Sequence, residues 1–314
     1  MEHVCCSMAG QHFPILRYRA LTPGPDGTFE LVIEAPLIAK HAKPGQFVIV
    51  RADTAGERIP LTIAAFDAAA GTITLAVQMV GFSTRKMGEL RQGDVLLDVL
   101  GPLGMPVHIQ KYDKPVVCIG GGLGVAPIWP KIKALYELGN HVITIIGARS
   151  RSLLILEDEL RPISTELHVT TDDGSYGRKG FVTEVLREVM VRRDGQIAEV
   201  IAVGPLPMME AVVKEMMGKT WKDRYDPASE YDAKRIPCVV SLNPIMVDGT
   251  GMCGGCRIQL WNPQKHQWES SFTCVDGPAF DGYAVDFPAL TMRNRQYQAQ
   301  EKAALENLAQ ALPR

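Results

Sequence analysis

Four residues near the C-terminus have the types and the spacing of iron–sulfur cluster ligands. Cys253 and Cys256 are separated by two residues, Cys274 follows after 17 intervening residues, and Asp248 precedes Cys253 with four residues between them. A plant-type [2Fe–2S] loop has the pattern Cys-x4-Cys-x2-Cys followed by a distant fourth Cys. Here Asp248 occupies the first position, so one carboxylate would join three thiolates. We therefore predict a [2Fe–2S] cluster held by Asp248, Cys253, Cys256 and Cys274.

The glycines between these ligands support the same chemistry. Gly249, Gly251, Gly254 and Gly255 would let the loop wrap a cluster closely, with unusual backbone angles and without side-chain clashes. The sulfides of a cluster also need backbone N–H donors at close range. A loop with this many glycines can supply them.

Other donor sets remain open from the residues alone. The three thiolates with His266 could hold a structural zinc ion, because zinc prefers sulfur and nitrogen ligands. Cys238 could compete with Asp248 as fourth ligand, although its ten-residue distance from Asp248 fits the spacing poorly. Cys238 beside Val239-Val240, and Cys118 in an apolar stretch, are more typical of buried packing.

A glycine-rich turn in the middle of the chain is a candidate dinucleotide site. It follows a buried-type strand at Val116–Ile119 and precedes a helix-length stretch that ends at Leu138. Such a turn lets backbone N–H groups approach a pyrophosphate at a helix N-terminus. The pattern is not the standard G-x-G-x-x-G, and a glycine run alone also makes an ordinary tight turn. The predicted contacts are Gly121, Gly122, Gly124, Ala126 and Pro127.

Two more loops follow predicted strands of the same sheet. They contain Asp173 and the pair Gly204 and Met208. Ligands of doubly wound sheets bind at the carboxyl ends of the strands, so we predict that these residues join the nucleotide site. Arg149 and Arg151, after another strand, could contact a ribose or a 2′-phosphate, or could be solvated. They leave NAD and NADP undecided.

The first third of the chain carries weaker signals for a flavin. Arg58 could grip a pyrophosphate, and Thr62 with its adjacent backbone could reach a ring nitrogen. A helix-like stretch to Leu90 would offer its N-terminus to a phosphate. A surface arginine and capping hydroxyls would explain the same residues equally well. The predicted flavin contacts are Arg58, Pro60, Leu61, Thr62, Gly81, Ser83 and Thr84.

These residues lie in segments of different periodicity. Short strand-like runs separated by Gly, Pro and Asp favour a barrel or a sandwich. Strands that alternate with helices, one of them at Ser152–Leu160, favour a doubly wound parallel sheet. The predicted units are an antiparallel FAD-binding β-barrel at 14–110, an NAD(P)-binding α/β domain at 111–218, an insertion or linker at 219–237, a small [2Fe–2S] module at 238–290 and a tail at 291–314, helical from Arg293 to Leu312.

Composition excludes several classes of protein. The 314 residues include 33 Lys and Arg against 35 Asp and Glu, a net charge of -2 that indicates no nucleic-acid or anionic-membrane partner. No apolar run is long enough for a membrane span. The N-terminus has no apolar core of a secretory signal, and the seven cysteines are odd in number and unevenly spaced. We therefore expect a cytoplasmic protein with reduced thiols. Cys5 and Cys6 have no predicted role.

The motifs together resemble the ferredoxin–NADP reductase superfamily over about residues 14–290. Arg58-x-Pro60-Leu61-Thr62 is similar to its flavin motif, Gly101–Gly104 to the exit turn of its barrel, and Gly120–Pro127 to its nucleotide loop. The added cluster module resembles the group that contains the dihydroorotate dehydrogenase electron-transfer subunit and the small subunit of NADH-dependent ferredoxin:NADP oxidoreductase. The run 241–254 looks most like the second, since the dihydroorotate subunit has Cys where Asp248 stands.

The resemblance implies an NAD(P)H-dependent electron-transfer subunit with FAD, an Asp/Cys3 [2Fe–2S] cluster, and NAD(H) or NADP(H). It also implies a larger flavoprotein and iron–sulfur partner that resembles the glutamate synthase small subunit. Ferredoxin would exchange electrons with the complex that the two subunits form. In that group the pair couples NADH, NADPH and ferredoxin by electron bifurcation on the larger subunit. Two alternatives remain. The chain could be the electron-transfer subunit of another dehydrogenase, such as one for dihydroorotate, or it could be a zinc-stabilised nucleotide-binding adaptor without redox turnover.

Overall fold

The structure, a computed structural model, describes residues 12–54, 56–218 and 235–311. Cys5, Cys6 and the segment 219–234, the core of the predicted insertion, lie outside the described residues. Within them the chain forms two seven-stranded sheets and one two-stranded hairpin. None of the helices in this part of the chain combines the length and the apolar composition that crossing a bilayer requires.

The first sheet is antiparallel and nearly closed. Its elements are β1 Phe13–Ala20, β2 Thr28–Glu34, α1 Pro36–His41, β3 Phe47–Arg51, β4 Ile59–Asp67, β5 Thr72–Gln78, α2 Phe82–Gly88, β6 Val95–Leu96 and β7 Asp98–Leu103. The strand order is β6-β1-β2-β5-β4-β3-β7, so the two ends of the sheet are strands adjacent in sequence. Alternate residues of β2, Phe29, Leu31 and Ile33, are fully buried inside it. The predicted barrel is confirmed.

The second sheet is mainly parallel. Its elements are β8 Val116–Gly121, α3 Val125–Glu137, β9 Val142–Ala148, α4 Glu157–Leu160, β10 Glu166–Thr171, β11 Arg178–Lys179, α5 Val182–Arg192, β12 Glu199–Val203, α6 Leu206–Met217 and β13 Cys238–Ser241. Strand β8 lies between β9 and β12, so the chain leaves it first to one side and later to the other. This reversal is the switch point of a doubly wound fold, as predicted.

The C-terminal part returns to the second sheet. Its elements are β14 Arg257–Asn262, β15 Gln267–Phe272, α7 Thr273–Asp276, β16 Ala279–Asp281, α8 Phe287–Asn294 and α9 Gln298–Ala311. Strand β13 pairs in parallel with β12, and β16 pairs antiparallel with β13. The sheet therefore runs past the boundary predicted at Cys238, and the hairpin β14–β15 projects from it.

Shared cores join the three parts. Ala64 of β4 and Ala76 of β5 pack in one buried cluster with Val125 and Ile128 of α3, which ties the barrel to the nucleotide domain. A second cluster joins β3 of the barrel to the loop that carries the predicted cluster ligands. These contacts bring all the predicted sites to one region of the molecule.

The predicted helix at Ser152–Leu160 is wrong. A 3-10 turn at Arg151–Leu153 is separated from α4 by an extended Leu154 and by Leu156 in the left-handed region, at φ 57°. Ile155 is only 4% exposed and packs in the core with α3. Burial of these side chains overrides the helix propensity of the segment.

The predicted terminal helix at Arg293–Leu312 is also wrong in its start and its continuity. Helix α8 begins earlier, where the Asp286 carboxylate accepts a hydrogen bond from the Ala289 N–H at 2.9 Å and Pro288 occupies the first turn. It ends at Asn294, and α9 starts only at Gln298. Leu312 lies outside the described residues.

One buried charge in α3 carries a stability prediction. Lys131 is 0% exposed, and its Nζ has no hydrogen-bond partner among the described residues. Burial lowers its pKa to about 8, and Cys118 and Glu199 oppose this only in part. The unfolded chain protonates the amine below about 10.4. The folded state is therefore penalised fully below pH 8, and its stability rises as the pH increases from about 8 to about 10.4.

We expect Lys131→Met to raise the free energy of unfolding by about 2 kcal/mol at pH 7, because Met fills similar space without a charge. Most of the gain should disappear at pH 10. Urea denaturation at both pH values measures it. Lys133→Met on the same helix is the control. Lys133 is exposed, and its ion pair with Glu137 is long, with 3.9 Å between Nζ and Oε1, so we expect its replacement to change the stability little. A loss of stability in Lys131→Met at pH 7 would show that the amine is compensated.

Candidate functional site

A cavity of about 860 Å³ opens at the switch point of the parallel sheet. Residues of the barrel, the nucleotide domain and the C-terminal part all line it. This is the place where doubly wound sheets bind their ligands. Ten of the predicted cofactor residues line this cavity: Pro60, Leu61, Thr62, Gly121, Gly122, Gly124, Ala126, Pro127, Gly204 and Met208.

The loops after β8 and β12 pack backbone to backbone in the cavity wall. A Cβ on Gly124 would lie 2.2 Å from the Val203 carbonyl oxygen, and a Cβ on Gly121 would lie 2.2 Å from Met208 Sδ. Gly122 has φ 53°, a conformation that favours glycine. The glycines are therefore needed for close approach of two loops. They leave the N-terminal turn of α3, with Ala126 and Pro127, facing the cavity.

In the loop after β10, the residue that lines the cavity is Asp172 and not the predicted Asp173. Asp173 is exposed and accepts a hydrogen bond from the Ser175 N–H at 2.9 Å. Hydrogen bonds to Ser175 hold the pKa of Asp173 below its usual range. Asp173 thus stabilises the turn itself. Arg149 lines the cavity, whereas Arg151 lies over the Tyr176 ring at 5.0 Å.

On the barrel side, Pro60, Leu61 and Thr62 reach the cavity from β4 and Phe47 reaches it from β3. The other predicted flavin contacts, Arg58, Gly81, Ser83 and Thr84, do not line it. Ser83 Oγ donates to Glu57 Oε2 at 3.2 Å, which connects the turn of Gly81, Ser83 and Thr84 with the residue that precedes Arg58.

Helix α2 is closed at its own N-terminus. The Thr84 hydroxyl accepts a hydrogen bond from the Gly81 N–H at 2.9 Å and donates to the Gly81 carbonyl at 3.1 Å. The helix has only seven residues. These contacts are those of a capped turn, and the structure leaves the predicted phosphate contact of this turn untested.

The sequence reasoning missed the wall that the C-terminal part contributes. Ser241, Leu242, Asn243 and Met246 line the cavity directly after β13. A signal was available: the run Cys238–Ser241 is apolar enough for a strand. Had that strand been placed in the parallel sheet, the next residues would have fallen at the same carboxyl edge.

Two side chains connect the cavity with the predicted cluster ligands. Phe47 and Met246 line the cavity and also pack in one buried cluster with Cys256 and Cys274. Phe47 is 2% exposed. The distance between the two sites is therefore bridged by one layer of packed side chains.

The loop that carries the ligands lies directly against the barrel. A Cβ on Gly249, at φ 74°, would be 2.7 Å from Leu103 Cδ1 and 2.9 Å from Ile49 Cγ1. A Cβ on Gly251, at φ 86°, would be 2.6 Å from Val275 Cγ2. Both positions need glycine for backbone angle and for space.

The four predicted ligands lie in two pairs. Cys256 Sγ and Cys274 Sγ are 3.2 Å apart and buried, and neither forms a disulfide. The Asp248 carboxylate accepts a hydrogen bond from the Cys253 N–H at 2.7 Å, and Cys253 is exposed. The Gly255 N–H donates to Cys253 Sγ at 3.4 Å. Two pairs of anionic donors with N–H groups aimed at sulfur fit two irons with two protein ligands each.

The charges and pKa values of the loop favour the binding of a metal cation. Burial, together with Cys256 and Asp248, raises the pKa of Cys274 to about 12. Burial also raises the pKa of Asp248, but hydrogen bonds from Thr250 and Cys253 outweigh it and hold that pKa below its usual range. Cys274 would therefore need a nearby cation to become a thiolate, whereas the Asp248 carboxylate is already charged.

A single zinc ion fits these donors poorly. Among the described residues, no three His, Cys, Asp or Glu side chains converge as one metal ion requires. His266 lies at the turn of the hairpin, while Arg257 and Phe272, next to Cys256 and Cys274, form its other end. Six residues of strand separate the two ends by roughly 20 Å. His266 is therefore too far to join the thiols.

Comparison with known families and proteins agrees with this geometry. Residues 243–286 match the iron–sulfur cluster binding domain of dihydroorotate dehydrogenase B, and residues 118–214 match the oxidoreductase NAD-binding domain. The chain is 42% identical over 281 residues to the dihydroorotate dehydrogenase B (NAD(+)) electron transfer subunit homolog of Thermotoga maritima, which covers 90% of this chain and 91% of the relative.

Two further proteins are informative. The dihydroorotate dehydrogenase B (NAD(+)) electron transfer subunit of Shouchella clausii is 31% identical over 258 residues, which cover 81% of this chain and 90% of that protein. A solved chain of the NADH-dependent reduced ferredoxin-NADP oxidoreductase, a structure used for insights into flavin-based electron bifurcation, is 39% identical. It superposes with a TM-score of 0.81 over 96% of this chain and 100% of its own.

Proposed function

We propose that this chain, which belongs to the family of the electron-transfer subunits of dihydroorotate dehydrogenase B, works as the small subunit of an NADH-linked ferredoxin:NADP oxidoreductase. The chain is an NAD(P)H-dependent flavin and iron–sulfur oxidoreductase subunit that transfers electrons, as the sequence predicted. Its cofactors are FAD, an iron–sulfur cluster and a nicotinamide nucleotide.

The observation that carries the proposal is the layer shared by the cavity and the thiols. FAD, when bound, exchanges a hydride with a nicotinamide and single electrons with a cluster. Phe47 and Met246 contact both sites and exclude water between them. This packing holds the two cofactors at short range and keeps the path between them dry. We assign Asp248, Cys253, Cys256 and Cys274 as ligands of a [2Fe–2S] cluster.

The residues of the cavity have separate tasks in this proposal. Gly121, Gly124 and Gly204 hold two loops together so that their backbone can approach the nucleotide pyrophosphate. Leu61 and Thr62 face the cavity from the barrel and position the flavin ring. Asn243 lines the same cavity and would be available to contact the nicotinamide.

The two ligand pairs differ in exposure, so one pair faces the cavity and the other faces the surface. Cys256 and Cys274 are each 2% exposed and lie on the cavity side. Cys253 is exposed, and its neighbour Met252 is 89% exposed. Electrons would pass between the flavin and the cluster beside the buried pair, and between the cluster and a partner beside the exposed pair. We propose that the larger flavoprotein and iron–sulfur subunit, similar to the glutamate synthase small subunit, exchanges them there and serves ferredoxin.

The chain has a second candidate function as electron-transfer subunit for dihydroorotate oxidation. The 42% identity with the electron transfer subunit homolog of Thermotoga maritima and the 31% identity with the subunit of Shouchella clausii favour it. The 39% identity and full coverage of the ferredoxin-linked structure favour the first function, as does the carboxylate at position 248. Purification of the native complex and identification of the larger subunit would distinguish them.

The five described cysteines are all unpaired, which supports a reducing cytoplasm.

The direct experiment uses the chain purified without oxygen and loaded with FAD, iron and sulfide. We expect about two irons and two acid-labile sulfides per chain. Addition of NADH should bleach the flavin and produce the EPR signal of a reduced cluster. Stoichiometric zinc without sulfide, or a flavin that NADH bleaches while the cluster stays oxidised at every potential, would refute the proposal.

A further inference from the structure

Arg293 binds the loop that carries the thiols, although it lies 19 residues beyond the last of them. Its Nη2 donates to the Gly255 carbonyl at 3.0 Å and to the Gly254 carbonyl at 3.3 Å. Its Nε donates to the Gly255 carbonyl at 3.3 Å. The guanidinium thus holds two successive peptide groups between Cys253 and Cys256.

The helix that presents Arg293 is firmly anchored. Phe287 and Leu290 of α8 are 0% and 3% exposed and pack in the core of the parallel sheet. The Asp286 carboxylate caps the first turn of the helix. Arg293 therefore connects the core of the nucleotide domain to the ligand loop.

Holding these carbonyls also aims the neighbouring N–H groups. A trans peptide is planar, and its C=O and N–H point in opposite directions. When Arg293 fixes the Gly254 carbonyl, the Gly255 N–H is directed away from it, and that N–H donates to Cys253 Sγ at 3.4 Å. The Gly255 carbonyl fixes the Cys256 N–H in the same way. Gly254, at φ 64°, would otherwise be free to rotate these planes.

We propose that Arg293 is a positioning residue for the iron–sulfur cluster: it orients the Gly254–Gly255 and Gly255–Cys256 peptides so that their N–H groups face sulfur, and it adds a positive charge behind the loop. This inference rests on the proposed function, because it presupposes the cluster. Hydrogen bonds to the sulfurs and nearby charge set the potential of a cluster. Both effects stabilise the reduced, more negative form and raise the reduction potential.

The test compares Arg293→Met with Arg293→Lys and with Arg295→Met in FAD- and cluster-loaded protein. Arg295 is the C-cap residue of the same helix and is exposed. We expect Arg293→Met to lower the cluster potential and to speed cluster loss to a chelator by about 10-fold, the usual scale for groups that orient ligands. Arg293→Lys keeps the positive charge but loses the planar guanidinium that donates to both carbonyls. Its cluster potential and its rate of cluster loss should lie between those of Arg293→Met and the unsubstituted chain. Arg295→Met should match the unsubstituted chain.

Each outcome decides the inference. Wild-type potential, EPR spectrum and chelator resistance in Arg293→Met would overturn it, and so would an equal shift in Arg295→Met. If Arg293→Met lacks FAD and native circular dichroism, Arg293→Lys decides by the same readouts, and wild-type values there overturn the inference. Absence of iron and sulfide from the unsubstituted chain would instead refute the proposed function.

Discussion

Replacing Cys256 or Cys274 by serine is expected to remove the iron–sulfur cluster while leaving the reduction of FAD by NADH intact. Both thiols are buried and 3.2 Å apart on the cavity side of the loop. A serine hydroxyl is a far poorer iron ligand, because its oxygen is a harder donor than sulfur and gives up its proton to a metal less readily than a thiol does. We expect bound iron and sulfide to fall by about 10-fold or more. The cavity keeps its glycine loops and its barrel wall, so hydride transfer should continue.

Metal analysis and stopped-flow reduction by NADH measure the two halves of this prediction separately. Cys238→Ala and Cys118→Ala are matched controls, since both remove a fully buried thiol from the neighbouring sheet. Burial raises the pKa of each of these thiols well above its usual range, as expected for core packing. Both controls should keep the cluster. Loss of the cluster in Cys238→Ala but not in Cys274→Ser would show that the ligand set is assigned incorrectly.

The sequence allowed a correct prediction wherever function depends on local spacing. The spacing of Asp248, Cys253 and Cys256 predicts an iron–sulfur loop, and residues 243–286 match an iron–sulfur cluster binding domain, while the four individual ligands stay a prediction. The glycine turn at Gly121–Gly124 was identified because strand and helix flank it closely. In both cases the residues that carry the chemistry lie within one loop, so their spacing can be read directly from the sequence.

Contacts between distant segments could not be predicted in this way. Phe47 and Met246 are 199 positions apart and meet only because the cluster loop packs on the barrel. The choice between Asp172 and Asp173 depends on where β10 ends, and an error of one residue reverses which side chain faces the cavity. Arg293 lies in a segment that predicts only a helix. Its proposed role follows from its hydrogen bonds with the Gly254 and Gly255 carbonyls, which only the folded chain brings within reach.

The nucleotide loop carries the second large prediction. A Cβ on Gly124 would lie 2.2 Å from the Val203 carbonyl oxygen and 2.6 Å from the Gly204 Cα. These are backbone atoms of the facing loop, so they cannot move aside as a flexible side chain would. Gly124→Ala must therefore separate the two loops. A displacement of about 1 Å can cost roughly 100-fold in rate, and we expect a loss of this size in kcat/KM for NADH.

A control on the same helix distinguishes this local effect from general destabilisation. Gly139 follows the C-terminal end of α3 at φ 75°, and a Cβ there would meet only Lys111 Nζ at 3.2 Å. Gly139→Ala should cost about 1 kcal/mol of stability through backbone strain and leave the reduction of FAD by NADH unchanged. Gly124→Ala should keep FAD and the cluster, both reducible by dithionite, because neither the barrel wall nor the thiols contact the new methyl group. Wild-type kinetics with NADH in Gly124→Ala would mean that the nucleotide does not use the space between these loops, and the cavity would then have to bind it elsewhere.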